Sequence, residues 1–274
     1  LDLGDATRRI AVAGELQQGE RRPGAGSGVL WETLRGVVSA QAARAGRERL
    51  DVLDVGGGTG GFAVPLASLG HSVTVIDPSP DSLAAAQRRA AEAGVPLRAV
   101  QGDVSDLAAV TEAGGADLVL CHSVLEYVDS PEAAMAAIAA ILRPGGVVSV
   151  LAASAVAAVI HRVLAGRFDE ARKLLAAIAV PAGETDGPGA AAGPVSPDGP
   201  LHRFTLPEVV ELIEKAGLRP GPGHGVRVFT DLVPRMLTDT DPGAAGALLA
   251  LEEAASAHPA FRGMATQFHV LGYR

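Results

Sequence analysis

The stretch from residue 51 to residue 150 constrains the fold most. Five short apolar runs, "LDVLDV", "SVTVID", "PLRAVQ", "DLVLCH" and "GVVSVL", alternate there with helical segments. Each run is too short for a helix that must bury a stripe over several turns, so each is read as a strand. Between them Phe62 to Leu69, Asp81 to Ala93 and Pro131 to Leu142 have helical spacing. Ser130 is placed to cap the last of these, with Pro131 in its first turn, and Arg143-Pro144-Gly145-Gly146 stops it. The alternation predicts an α/β domain with a mostly parallel sheet covered on both faces.

Upstream, Val29 to Ala45 is expected to form an amphipathic helix preceded by the loop "RRPGAGSG". Downstream, residues 155 to 180 read as helical, and "VPAGETDGPGAAAGPVSPDGP" (180 to 200) has the composition of a linker or lid. Helical pattern returns at Pro207 to Ala216. "GVRVFTDLV" (225 to 233) and "TQFHVLGYR" (266 to 274) read as strands, separated by a helix around 244 to 257. The expected terminal strand is antiparallel. The 274 residues suffice for one such domain. Its parts would be N-terminal cap helices (1 to 48), a cofactor-binding core (49 to 152), an insertion or lid (153 to 205) and C-terminal helices and strands (206 to 274).

Bulk chemistry narrows the class. With 48% hydrophobic but only 3% aromatic residues, the core must be built from Ala, Val, Leu and Ile. Cys121 is the only cysteine, which excludes an intramolecular disulfide and a Cys-rich zinc site, and no metal is expected. No basic-then-apolar leader opens the sequence. The most apolar segment, about 147 to 160, is interrupted by Ser149 and Ser154, so a soluble, cytoplasmic protein without a membrane span is expected. A net charge of -8 argues against indiscriminate polyanion binding.

The chemistry concentrates in "DVLDVGGGTGG" (51 to 61), where Gly56, Gly58 and Gly61 have the spacing of a dinucleotide cradle. Glycines after a strand and before a helix let a ligand approach the backbone and the helix's unpaired N–H groups. Asp54, two residues before Gly56, selects among ligands: it repels a pyrophosphate and attracts an ammonium or sulfonium. S-adenosylmethionine carries both cations and no phosphate. Capping of the following helix is the alternative role for Asp54.

Asp77, closing the second strand in "VTVIDPSP", can accept both hydroxyls of a ribose. Asp103 in "QGDVSDL" could meet an adenine amino group, with Val104 against the base, or could cap a helix. His122 closes the fourth strand at the carboxyl edge, where open α/β sheets bind ligands.

Together "VLDVGGGTG", "VIDPSP", "GDV", "DLVLCHSVLEYV" and "LRPGGVVSVL" resemble the ordered motifs of class I S-adenosylmethionine-dependent methyltransferases. The resemblance implies a Rossmann-like, mostly parallel seven-stranded sheet with an antiparallel terminal strand and helical insertions. A narrower resemblance, carried by "LWETL", "VLAGRFDEA", "SPDGP", "GVRVFTD" and the "LLALEEAASAHPAFRGMATQFHVLGYR" tail, is to the bacterial tRNA 5-carboxymethoxyuridine methyltransferases. It implies methylation of a carboxylate on a modified wobble uridine in the tRNA anticodon loop. It also implies cofactor contacts at Gly56, Gly57, Asp77, Val104, Ser105 and His122. With the motif neighbours, the candidate cofactor residues are Asp54, Gly56, Gly57, Gly58, Gly60, Asp77, Pro78, Asp103, Val104, Ser105 and His122.

This chain departs from the narrower pattern twice. Gly26 stands where the family has an arginine that touches the cofactor, with Arg21 or Arg22 as substitutes, and the linker "ETDGPGAAAGP" replaces a run of lysines. The second departure favours the alternative acceptor, a small-molecule carboxylate or hydroxyl compound. A carboxylate is already ionised near neutral pH, so no general base is required and no catalytic residue is assigned. Such an acceptor still needs a reader: Arg203 and Arg227 are the cationic candidates, with Tyr127 and His202 to donate hydrogen bonds or stack. Arg8-Arg9, Arg21-Arg22 and Arg44 to Arg49 could form a phosphate-facing patch at the pocket mouth, or a solvated helix face.

Overall fold

The computed structural model describes residues 25–178, 200–239 and 242–274. Seven strands form one sheet: β1 (Asp51–Val55), β2 (Ser72–Asp77), β3 (Arg98–Gln101), β4 (Ala116–His122), β5 (Leu142–Ala153), β6 (Arg219–Val226) and β7 (Gln267–Tyr273). Their order is β3-β2-β1-β4-β5-β7-β6. Strands β1 to β5 pair in parallel, whereas β7 runs antiparallel to both β5 and β6. The chain winds outward from β1 in one direction and from β4 in the other. The carboxyl ends of β1 and β4 therefore flank the crevice where such sheets take ligands.

Each face of the sheet buries its own core. On one, Leu53, Val55, Val119, Cys121, Val148 and Val150 meet Met135 and Ile138 of the helix Pro131–Ile141 and Val209 and Ile213 of the helix Leu206–Lys215. On the other, Val52, Leu118, Leu120, Val147 and Leu151 meet Leu30, Leu34 and Val38 of the helix Ala25–Ala45, together with Ala63 and Leu66. The cap expected at Ser130 forms, and Ser79 makes another: each accepts an amide of the first turn beside a proline.

Two local expectations are corrected. The helix expected from Val29 starts at Ala25, so "AGSG" is helical and not part of a loop, while residues 21 to 24 lie outside the described residues. Burial of Leu30, Leu34 and Val38 at four-residue spacing outweighs the poor helix propensity of the glycines.

The strand expected over 225 to 233 lies earlier, at Arg219–Val226, "RPGPGHGV". Its two prolines are tolerated because β6 is an edge strand with a register shift between Pro220 and Gly223. It ends where Arg227 adopts φ 58°. The Glu252 carboxylate then gathers the amides of Val228, Phe229 and Thr230 at 2.8, 2.8 and 2.5 Å into a turn.

The helical stretch after residue 155 is two helices, Ala155–Leu164 and Phe168–Ala177, broken at Gly166 with φ 71°. The linker of 180 to 200 falls, except for Pro200, outside the described residues. No helix among the described residues is long and apolar enough to cross a membrane.

Candidate functional site

Strand β1 delivers the chain into a turn that favours glycine at 56, 58 and 60 by positive φ and at 57 by close packing. A Cβ on Gly57 would sit 2.6 Å from the Asp54 carboxyl carbon, so the backbone lies directly on that carboxylate. Gly58, at φ 53°, has open space where a Cβ would point, and its amide donates to Asp77 Oδ2 at 2.9 Å. The other Asp77 oxygen accepts the Ser79 amide at 2.9 Å. One carboxylate thus ties the glycine turn to the end of β2.

Asp54 is 3% exposed, and its pKa is pushed up to about 7, first by burial and then by Asp77. Among the described residues neither a cation nor a hydrogen bond offsets that cost. Asp77 is also raised by burial, against the pull of its two amide partners. Two buried carboxylates at one turn create a demand for positive charge that the described residues do not meet.

The remaining cofactor candidates converge on the same edge. Pro78 is buried and its carbonyl accepts from Gln101 at 3.2 Å, while the Gly102 amide donates to the Asp77 carbonyl at 3.3 Å. Asp103 performs the capping role: its Oδ1 accepts from the Ser105 amide and hydroxyl at 2.7 and 2.6 Å, reciprocated by Asp106. Val104 is buried beside it. Gly56 packs under Val124, where a Cβ would lie 2.6 Å from the valine methyl. Gly60, at φ 77°, packs against Ala86 and Val64.

His122 stands at the end of β4 with the Phe62 ring edge-on at 5.0 Å. Its Nε2 lies 2.8 Å from the Ser149 hydroxyl, and its Nδ1 is sealed with no partner among the described residues. Burial first, and His269 second, push its pKa down to about 3.

The four substrate candidates are used differently. Tyr127 and Arg203 are brought together: burial raises the Tyr127 pKa, reinforced by Glu126 and opposed by the Arg203 charge. Partial desolvation lowers that of Arg203, opposed by Tyr127 and Glu126. His202 Nε2 donates to the Val128 carbonyl at 3.0 Å and stacks on Phe204, a structural use of the ring. Arg227 lies within 3.4 Å of Asp231 for charge pairing, without hydrogen-bond alignment at Nε, and donates to Gln267 at 3.4 Å.

Sequence reading missed Glu126. Its Oε1 accepts the Ala153 amide at 2.6 Å, its carbonyl holds the Leu201 and His202 amides, and its Oε2 meets no partner among the described residues. Burial pushes its pKa up to about 7. The available signal was a lone acid inside an apolar "SVLEYV" stretch. Ser149 and His269, inside strands, were missed for the same reason.

The proposed basic patch is corrected in part. Arg44 donates to the Gly145 carbonyl, and Arg47 pairs with Asp117 and Asp51, as does Arg143. Asp51, Asp117 and Gly145 all lie at the amino ends of their strands, the edge opposite the glycine turn. Arg8, Arg9, Arg21 and Arg22 lie outside the described residues.

A family model described as "Methyltransferase domain" matches residues 53–150. The tRNA 5-carboxymethoxyuridine methyltransferase of Escherichia coli (strain K12) is 33% identical over 205 residues, 74% of this chain and 71% of that protein. The chain belongs to the class I S-adenosylmethionine-dependent methyltransferases. Another methyltransferase relative, the ubiquinone biosynthesis O-methyltransferase of Xanthomonas axonopodis pv. citri, is 41% identical over only 40% of this chain and 44% of its own. The fold is shared with Burkholderia thailandensis 1,6-didemethyltoxoflavin-N1-methyltransferase, solved with S-adenosylhomocysteine, at TM-score 0.54 and 20% identity over 98% of this chain and 87% of that one.

The residues fit the methyltransferase cofactor. Open space over Gly58 and Gly61 leaves room for a ligand on the turn, and the uncompensated Asp54 carboxylate suits its cations.

Proposed function

We propose that this methyltransferase esterifies a carboxylate, that of 5-carboxymethoxyuridine at the wobble position of tRNA. One observation carries the choice of a preionised acceptor: His122, the histidine at the end of β4, is held near pKa 3. A base that weak removes little of a hydroxyl or ammonium proton at neutral pH, which would leave that task to Glu126, pushed up to about 7, whereas a carboxylate requires no such removal. The similarity to the Escherichia coli enzyme over 205 residues supports the nucleoside.

When bound, the cofactor supplies an electrophilic methyl group on a cationic sulfur. Asp54, Asp77, Pro78 and the glycine turn Gly56, Gly57, Gly58 and Gly60 would hold it, with Asp103, Val104 and Ser105 toward its base and His122 beside the reacting end. Arg203, flanked by Tyr127 and Glu126, would read the acceptor carboxylate. In this reading 49 to 152 is the cofactor core and 153 to 205 the acceptor-side insertion, working in the cytoplasm where tRNA is modified. Arg227 is a weaker candidate reader because Asp231 already faces its charge.

Kinetics on purified protein with tRNA bearing the carboxymethoxy group test the reader. Arg203→Ala should raise KM for tRNA about 10- to 100-fold, the range of a lost charge-assisted contact, with Arg203→Lys intermediate. Unchanged KM in Arg203→Ala would remove Arg203 from the acceptor site.

A second reading, a small-molecule carboxylate acceptor, is favoured by the placement of Arg44 and Arg47 at the far edge of the sheet. That placement takes them away from any RNA seated over the glycine turn.

A further inference from the structure

Three polar side chains cross the sheet where apolar ones would ordinarily sit. His122 on β4, Ser149 on β5 and His269 on β7 lie on one face, beneath the N-terminal helix and among Leu120, Leu151 and Leu271. Ser149 is fully buried and His269 is 2% exposed. The Ser149 hydroxyl is 2.8 Å from His122 Nε2 and 2.8 Å from His269 Nε2. Neither ring is charged: burial first, then His269 for His122 and His224 for His269, pushes both pKa values down to about 3.

Counting protons fixes the arrangement. A hydroxyl has one hydrogen, so Ser149 can donate to only one of the two rings and must accept from the other. One neutral histidine therefore carries its proton on Nε2 and the other on Nδ1. The sealed, partnerless His122 Nδ1 decides which. A buried N–H without an acceptor is rarer than a buried lone pair without a donor. His122 therefore holds its proton on Nε2 and gives it to Ser149, Ser149 gives its own to His269, and His122 Nδ1 is bare.

We propose that Ser149 and His269 are positioning residues that lock His122 as the neutral Nε2–H tautomer, leaving Nδ1 as a hydrogen-bond acceptor for an N–H or O–H of the bound ligand. The arrangement has a physical rationale in this family. A cationic cofactor is repelled by an imidazolium and attracted by a lone pair, and a relay that spends the Nε2 proton elsewhere keeps Nδ1 unprotonated. A buried acceptor left unpaired carries a desolvation cost that is recovered when a donor arrives. The inference rests on membership of the methyltransferase family and not on the identity of the acceptor.

Long-range 1H–15N correlation spectra of histidine-labelled, ligand-free protein test it directly. The expected result is a bare Nδ1 and protonated Nε2 for His122, the reverse for His269, and a shift of His122 Nδ1 on adding S-adenosylhomocysteine. Ser149→Ala should redistribute the His122 tautomers and weaken S-adenosylhomocysteine about tenfold, the value of one hydrogen bond, with Ser149→Thr restoring both. A protonated His122 Nδ1 in the wild type overturns the proposal, as does a folded Ser149→Ala protein with unchanged tautomers and affinity. The wild-type spectrum needs no variant, so the decision stands even where Ser149→Ala fails to fold. Failure of tRNA methylation alone would leave these spectra unaffected.

Discussion

Gln267 joins Ser123 to Arg227: its amide donates to the Ser123 hydroxyl at 3.0 Å and accepts from the Arg227 guanidinium at 3.4 Å. Among the described residues these two are the non-glycines at positive φ, 56° and 58°. Backbone held in that region costs about 1 kcal/mol or more and persists where the surroundings enforce it. Ser123 directly follows His122, so the strained pair lies at the acceptor side of the site. Ser123→Gly should leave stability within about 0.5 kcal/mol, since relief of strain offsets the lost hydrogen bond, while Ser123→Val should cost about 2 kcal/mol. Denaturant melts of the two variants check this.

Asp54 makes cofactor affinity depend on pH. Its pKa near 7 means that the ligand-free carboxyl is mostly protonated at pH 6 and mostly ionised at pH 8. A cation binds the ionised form, so affinity for S-adenosylhomocysteine should rise from pH 5.5 to 7.5, by at most about tenfold per unit. Calorimetry on Asp54→Asn should show weaker binding and no such slope.

Folding stability moves the opposite way. The folded ligand-free chain keeps protons on Asp54 and Glu126 up to about pH 7, whereas the unfolded chain releases them near 4. Each group therefore costs stability increasingly as pH rises through that window. Relative to an Asp54→Asn, Glu126→Gln double variant, the thermal midpoint of the ligand-free protein should fall between pH 5 and 7.5. Saturating S-adenosylhomocysteine should narrow the gap.

Gly57→Ala drives a methyl to 2.6 Å from the Asp54 carboxyl carbon and 3.0 Å from Val75. Overpacking of this kind costs about 1–3 kcal/mol. The turn must shift, so S-adenosylhomocysteine binding should weaken beyond calorimetric detection, whereas Gly61→Ala, with open space around it, should keep the fold.

Glu252 holds three amides and the Thr230 hydroxyl while 3% exposed. Glu252→Ala leaves buried donors unsatisfied and should cost about 3 kcal/mol, with Arg227 losing its left-handed conformation. Hydrogen exchange at residues 228 to 230 checks the local effect.

The sheet was legible because β1, β2, β4 and β5 each combine a short apolar run with a helix that follows at the right spacing. The cofactor edge was legible because glycine spacing and terminal aspartates are local signals. Strand β6 was not: "RPGPGHGV" carries turn residues, and only its edge position and its pairing with β7 make it a strand. The relay through Ser149 and His269 was equally invisible, because its three members are 27 and 120 residues apart and meet only once the register is set. Asp103 showed its capping use in sequence, and that use is realised.

The most direct measurement is mass spectrometry of tRNA nucleosides from the host with and without this gene. Loss of the methyl ester of 5-carboxymethoxyuridine on deletion, restored by the wild-type gene and not by Asp77→Ala, is the expected result. An unchanged nucleoside profile, with S-adenosylhomocysteine binding demonstrated on the purified protein, would contradict the tRNA reading and leave a small-molecule carboxylate as the acceptor.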